Sequence, residues 1–225
     1  MARTTTTYIT FEMLKARGPS AVTIVKLMMA CNDLALANRS LGEWKKDQPP
    51  SRKSRQNGAG MYFIRIELGH LFEGLKLIDD IRSDPSLMML VSTCDQRTRH
   101  SFDNLEPFLT GGSNRPEFER LIGRVRHNLT FHYDEGGKLI QKAISDRAAR
   151  AETRTSSLTR GDRADRLHFK VVDDVVNSIV GRQIWKIPMD ANVEEEADKV
   201  VDRIHQIFLW FMDFSEEFIW RYCRS

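Results

Sequence analysis

The C-terminal segment constrains this chain more than any other stretch. From about Val193 to Tyr222, the residues Val193, Ala197, Val200, Ile204, Phe208, Phe211, Ser215, Phe218 and Tyr222 recur at spacings of three and four. That is the period of one helix face. Trp210, Phe214 and Trp220 fall off the stripe, so this helix is apolar over more than one face. Such a helix either stands at the centre of a bundle or shares its second face with another subunit.

The upstream segments repeat the period. Residues 1–19 are Thr-rich and end at Gly18-Pro19; they are expected to be a flexible N-terminal segment, with Tyr8, Ile9, Phe11 and Leu14 available to dock. Ser20 suits an N-cap, and Val22, Val25, Met29, Leu34 and Leu36 suit a mostly buried helix to about Leu41. Residues 45–58 carry two prolines and five basic residues, which predicts an exposed, mobile connection. Ile64, Leu68, Leu71, Phe72, Leu75 and Ile78 then make one face of a second helix, over Met61 to Arg82, in which Gly69 and Gly74 either weaken the helix locally or allow a neighbour to approach closely. Asp84-Pro85 restarts the chain, with an acid to cap free amides and a proline where no amide is needed. Leu87, Val91, Cys94, Thr98, Phe102 and Leu105 predict a third helix reaching Pro107.

A fourth helix is expected from Pro116, with Leu121, Ile122, Val125 and Leu129 as its apolar stripe and a stop at Gly136-Gly137. A short fifth spans Lys138 to Arg150, with Leu139, Ile140, Ala143 and Ile144 inside. Residues 151–166 are polar and basic without a period and read as a loop. Beyond them, Leu167, Phe169, Val171 and Val172 suit a short strand or the start of a helix. The fold class predicted is all-α: an up-and-down helical bundle of five to seven helices in one domain, residues 1–225, with a basic loop at about 151–166. At this length, 225 residues, the core needs neither disulfide nor metal.

Net charge is only +3, but it is segregated. Lys138 to Lys170 holds nine basic residues against four acids, whereas Asp190 to Glu217 holds nine acids against Lys199 and Arg203. A basic face is therefore expected, with Arg147, Arg150, Arg154, Arg160 and Arg163 as candidate contacts to a nucleic-acid backbone. Cys31, Cys94 and Cys223 are too far apart for a zinc site and suggest a reduced, cytoplasmic setting. The N-terminus has no apolar signal core, and the apolar run Ile207 to Met212 is too short to span a membrane, so no membrane partner is expected. No phosphate-binding loop, dinucleotide fingerprint or serine-nucleophile elbow occurs.

The densest chemistry lies between Arg124 and Asp134, where Arg124, Arg126, His127, Asn128, His132, Tyr133 and Asp134 crowd into eleven positions. On an ideal helix Arg124, Asn128 and His132 share a face within about 80°, opposite the apolar stripe, and Arg126 lies about 120° from His132. Arginine presents a fixed fork of donors to phosphate oxygens, and histidine titrates near neutrality as base or acid. Asparagine orients either without adding charge. This mixture suits attack of a ribose 2′-hydroxyl on the neighbouring phosphodiester, with no metal and no cofactor.

The run Arg126-His127-Asn128-Leu129-Thr130-Phe131-His132 fits an Arg-x(4–6)-His signature and resembles the HEPN superfamily, above all bacterial members with a Phe-His-Tyr context. The resemblance implies a compact helical bundle. It also implies a metal-independent ribonuclease of toxin, abortive-infection or RNA-processing type, acting as a homodimer and paired in some systems with an antitoxin or other protein. It assigns Arg126 and His132 as the catalytic pair, His127 as the polar neighbour, and Asn128 as support. Arg124 would position substrate, and Tyr133, directly after His132, would pack or cap. The alternative expectation is a catalytically inactive helical module that binds RNA or protein through the same face.

Overall fold

In the computed structural model, residues 6–46, 50–130, 134–150, 155–159 and 168–224 are described. The chain is an all-α bundle. Its α-helices are α1 (Phe11–Ala16), α2 (Pro19–Lys46), α3 (Pro50–Ser83), α4 (Pro85–Thr93), α5 (Gln96–Leu105), α6 (Arg115–Phe118), α7 (Lys138–Ala148), α8 (Lys170–Ser178) and α9 (Val193–Arg224). Two wide π turns, Glu119–Gly123 and Arg126–Thr130, prolong α6, and a third, Ile179–Ile184, prolongs α8. Two strands of two residues each, β1 (Leu158–Thr159) and β2 (His168–Phe169), pair antiparallel with Leu158 opposite Phe169.

Three long helices build the centre. Asp33 of α2 meets His70 of α3, and Leu41 and Ile64 line one groove, so these two run antiparallel. Tyr222 of α9 reaches Ser20, and Ile204 shares the groove with Leu41, so α9 is also antiparallel to α2. The aromatic surplus of α9 is explained by its position. Phe211, Phe214 and Phe218 are fully buried, and the Phe214 ring packs 5.1 Å from Phe102 and 5.0 Å from Phe218. Burying each such ring contributes roughly 1.5–3 kcal/mol. Trp210 and Trp220 remain half-buried. Gly74 is where α3 and α9 come closest: a Cβ there would lie 2.9 Å from the Phe211 ring.

Several local expectations are revised. The side of α2 that enters the core is Ala21, Ile24, Leu27, Leu34 and Leu41, while Val22, Val25, Met29 and Leu36 are exposed. A helix apolar all round does not reveal its inner face by periodicity alone; the neighbours α3 and α9 select it. Ser20 is not the cap of α2. The helix begins one residue earlier at Pro19, and the Ser20 hydroxyl donates to the Arg17 carbonyl. Over Pro19–Glu43 this helix is also long and apolar enough, by length and composition, to cross a membrane, with a mean hydropathy of 1.4.

The predicted connection over 45–58 is helical from Pro50 onward, because proline is favoured at the first helical position and the Arg, Lys and Gln that follow are good helix formers. The predicted third helix breaks at Cys94-Asp95. The Asp95 carboxylate accepts from the Thr98 amide and starts α5 afresh, although the apolar stripe runs on across the break. Ile144 is exposed rather than inside. Near the N-terminus, Tyr8 and Phe11 stay exposed; the segment is tied instead by Arg17, which stacks 4.5 Å over the Tyr222 ring and donates to the Tyr222 carbonyl.

Candidate functional site

The Arg126 segment is held between α3 and the π turn of α8. Leu121, Ile122, Val125 and Leu129 are buried, as the stripe predicts. Across from them the Trp185 indole donates to the Leu121 carbonyl at 3.1 Å. A π turn widens the helix by one residue, leaves backbone carbonyls to be satisfied from outside, and recurs at functional sites. Here Arg65 of α3 donates to the Leu129 carbonyl at 2.6 Å, and the Thr130 hydroxyl bridges the Val125 and Arg65 carbonyls. Gly123 permits the widening on the α3 side: a Cβ there would run into the Glu119 carboxylate and lie 3.2 Å from the Phe72 ring.

Asp134 closes the segment and opens the next. It takes a left-handed conformation, φ 54°, and its amide donates to the Asn128 carbonyl at 2.6 Å. Its buried carboxylate accepts from the Leu139 and Ile140 amides at 2.8 and 3.0 Å, capping α7. The acid in the motif is thus a structural hinge between two helices. The sequence signal was available, since an Asp standing just before Gly136-Gly137 and a helix is well placed to cap it.

Arg126 and His127 come together with residues that sequence reasoning did not select. The Phe72 ring of α3 is the platform. It stacks on Phe118 with 5.8 Å between centroids, and the His127 ring meets it edge-on at 5.5 Å. Lys76 Nζ lies 4.9 Å from its centroid, Arg115 Cζ 5.5 Å and Arg126 Cζ 5.8 Å. A ring quadrupole attracts cations at such distances, each worth about 0.5–1 kcal/mol at a partly solvated site. Glu73 Oε1 accepts from Arg126 Nη2 at 2.8 Å and its carboxylate also holds Lys76, while Glu119 holds Arg115 at 2.5 Å. Three cations therefore face one ring with two carboxylates between them, leaving a net positive cluster before any histidine charge. Arg126 Nη1 stands 3.1 Å from His127 Nδ1. Arginine has only donors, so the contact assigns the acceptor role to Nδ1 and the ring proton to Nε2. Arg126 Nε is buried with no acceptor among the described residues.

The other predicted residues are placed differently. The Asn128 amide donates back to the Arg124 carbonyl at 2.7 Å, so Asn128 supports its own helix, and Arg124 is exposed. His132 and Tyr133 lie outside the described residues, as do Arg154, Arg160 and Arg163. Arg147 is engaged by Asp174, through its carboxylate at 3.5 Å and its carbonyl at 3.4 Å. Arg150 lies 3.0 Å from the Met189 sulfur. Asp174 also takes Lys170 and Ser156. Burial pushes its carboxyl up, but the Ser156 and Lys170 hydrogen bonds and the Arg147 charge outweigh that and hold it below the ordinary value of 3.8. Half of the described basic patch is thus a buttress for α8.

Among the described residues no three His, Cys, Asp or Glu side chains are grouped to hold a metal. A groove of 510 Å³ lined by Asp95, Arg97, Asp213, Glu216 and Trp220 lies between α5 and α9, apart from the Phe72 cluster. No protein-family model, curated protein or solved structure matches this chain.

Proposed function

We propose that the chain is a metal-independent ribonuclease whose phosphate-binding centre is the Arg126 cluster. The observation that carries this reading is the Arg126–His127 contact, set on a π turn among Arg115, Lys76 and the Phe72 ring. The Arg126 guanidinium, partly buried and positioned by Glu73, supplies fixed positive charge for a phosphoryl group. His132, six residues on in the Arg-x(4–6)-His run, acts as general base or acid. The base takes the proton of the ribose 2′-hydroxyl as its oxygen bonds to phosphorus. The bond to the 5′-oxygen breaks, and the acid returns a proton to that leaving oxygen. The products are a 2′,3′-cyclic phosphate and a 5′-hydroxyl. The free thiols of Cys31, Cys94 and Cys223 agree with a reducing, cytoplasmic setting.

One observation favours a second reading, a non-catalytic RNA- or protein-binding module. Arg126 already has a carboxylate partner in Glu73, and Asn128 serves its own backbone, so fewer groups stand ready for chemistry. The two readings separate when total RNA is incubated with pure protein in EDTA. The ribonuclease reading expects cleavage with cyclic-phosphate ends. Salt-sensitive binding without cleavage supports the module, because phosphate contacts release counterions whether or not bonds break.

A further inference from the structure

The outer face of α2 carries an apolar seam that is left exposed among the described residues. Val22, Met29 and Leu36 are 57%, 60% and 64% exposed, and Val25 beside them is 37% exposed. The first three are spaced by seven residues, the repeat that keeps a side chain facing a partner helix along a long contact. The inner face of the same helix is fully committed to α3 and α9 through Ile24, Leu27 and Leu34. The seam is therefore held on a rigid support.

Its flanking charges select the occupant. Lys26 and Asp33 are also seven residues apart and exposed. Two parallel copies of this face would put the Lys26 and Asp33 flank of one helix on the side opposite that of the other, so neither charge would meet a partner from the second copy. Two antiparallel copies, related by a two-fold axis beside Met29, bring Lys26 next to the opposite charge on Asp33, with Val22 near Leu36 and Met29 near itself. The surface is thus self-complementary in shape and charge in one orientation only, which is the requirement for an isologous dimer.

We propose that the protein forms a two-fold dimer through an antiparallel α2–α2 pair centred on Met29. His70, which meets Asp33 from α3, and Phe72, the platform of the Arg126 cluster, are two residues apart, about 200° around that helix. The dimer therefore leaves the cluster of each chain on the outside, and the proposal does not rest on the ribonuclease reading.

Light scattering of the full chain should give a dimer. Met29→Glu should raise its dissociation constant by roughly tenfold or more, as expected when each copy loses a buried side chain of that size, with an unchanged helical circular dichroism spectrum. Asp33→Lys should weaken the dimer, and adding Lys26→Asp should restore it, an outcome that misfolding does not produce. Met29→Cys should form a disulfide-linked dimer on mild oxidation, while Ala35→Cys, exposed but off the seam, should match the wild type. A wild-type monomer, or a dimer that Met29→Cys does not cross-link, would overturn the proposal. So would a monomer that binds lipid vesicles through this face, the alternative that the apolar length of α2 raises.

Discussion

Replacing Asp134 isolates the hinge that ends the Arg126 segment. The side chain does two things: it accepts two amides at the start of α7, and it stands at a positive φ. Losing an N-cap acceptor costs about 1 kcal/mol, up to 2 when the site is buried. Alanine in the left-handed region costs up to about a further 1 kcal/mol, because it lacks the short polar side chain whose local hydrogen bonding lets Asp and Asn adopt it. Asp134→Ala should therefore lose about 2–3 kcal/mol. Asp134→Gly removes the cap but not the backbone tolerance and should lose about 1–2 kcal/mol. Asp134→Asn keeps an acceptor and the tolerance and should lose least, under about 1 kcal/mol. Urea denaturation followed by circular dichroism gives these values from the midpoints, provided the slope is unchanged. The ranking Ala, Gly, Asn is the test. Equal losses for alanine and asparagine, or no loss for alanine, would refute the assignment of Asp134 as a cap.

Two further outcomes follow from packing and charge. Gly74→Ala should destabilise the fold by roughly 1–2 kcal/mol in the same urea assay, because a Cβ 2.9 Å from the buried Phe211 ring displaces it and outweighs the helix propensity gained. Asp174 has a folded pKa below its unfolded one, so its contribution is present above about pH 4 and lost as pH falls through the folded value. Asp174→Asn should accordingly lower stability near neutrality and flatten its fall on acidification, read as urea midpoints against pH.

Much of the fold was legible because apolar spacing records helix faces directly. Leu68, Leu71, Phe72, Leu75 and Ile78 on α3 are buried as expected, with Ile64 at the end of that face half-buried, and Leu121, Ile122, Val125 and Leu129 are buried too. The stripe failed where it was ambiguous or continuous: α2 is apolar on both sides, and the stripe of α4 runs unbroken into α5 past the Asp95 cap. The site was legible only along the chain. Arg126 and His127 stand out in the sequence, but Phe72, Glu73 and Lys76 lie some fifty residues upstream and enter only through helix packing. The π turns also alter the arithmetic of an ideal helix. Arg124 faces outward as expected, but the Asn128 side chain is turned back onto the Arg124 carbonyl, a change that composition does not announce.

The central claim is that Arg126 and His132 cut RNA without a metal, and one comparison tests it most directly. Wild-type and His132→Ala proteins, matched for urea stability and helical content, are incubated with the same RNA in EDTA. The account predicts cleavage by the wild type and its loss in the variant. Undiminished cleavage by the variant, or no cleavage by the wild type on any RNA tried, would contradict it.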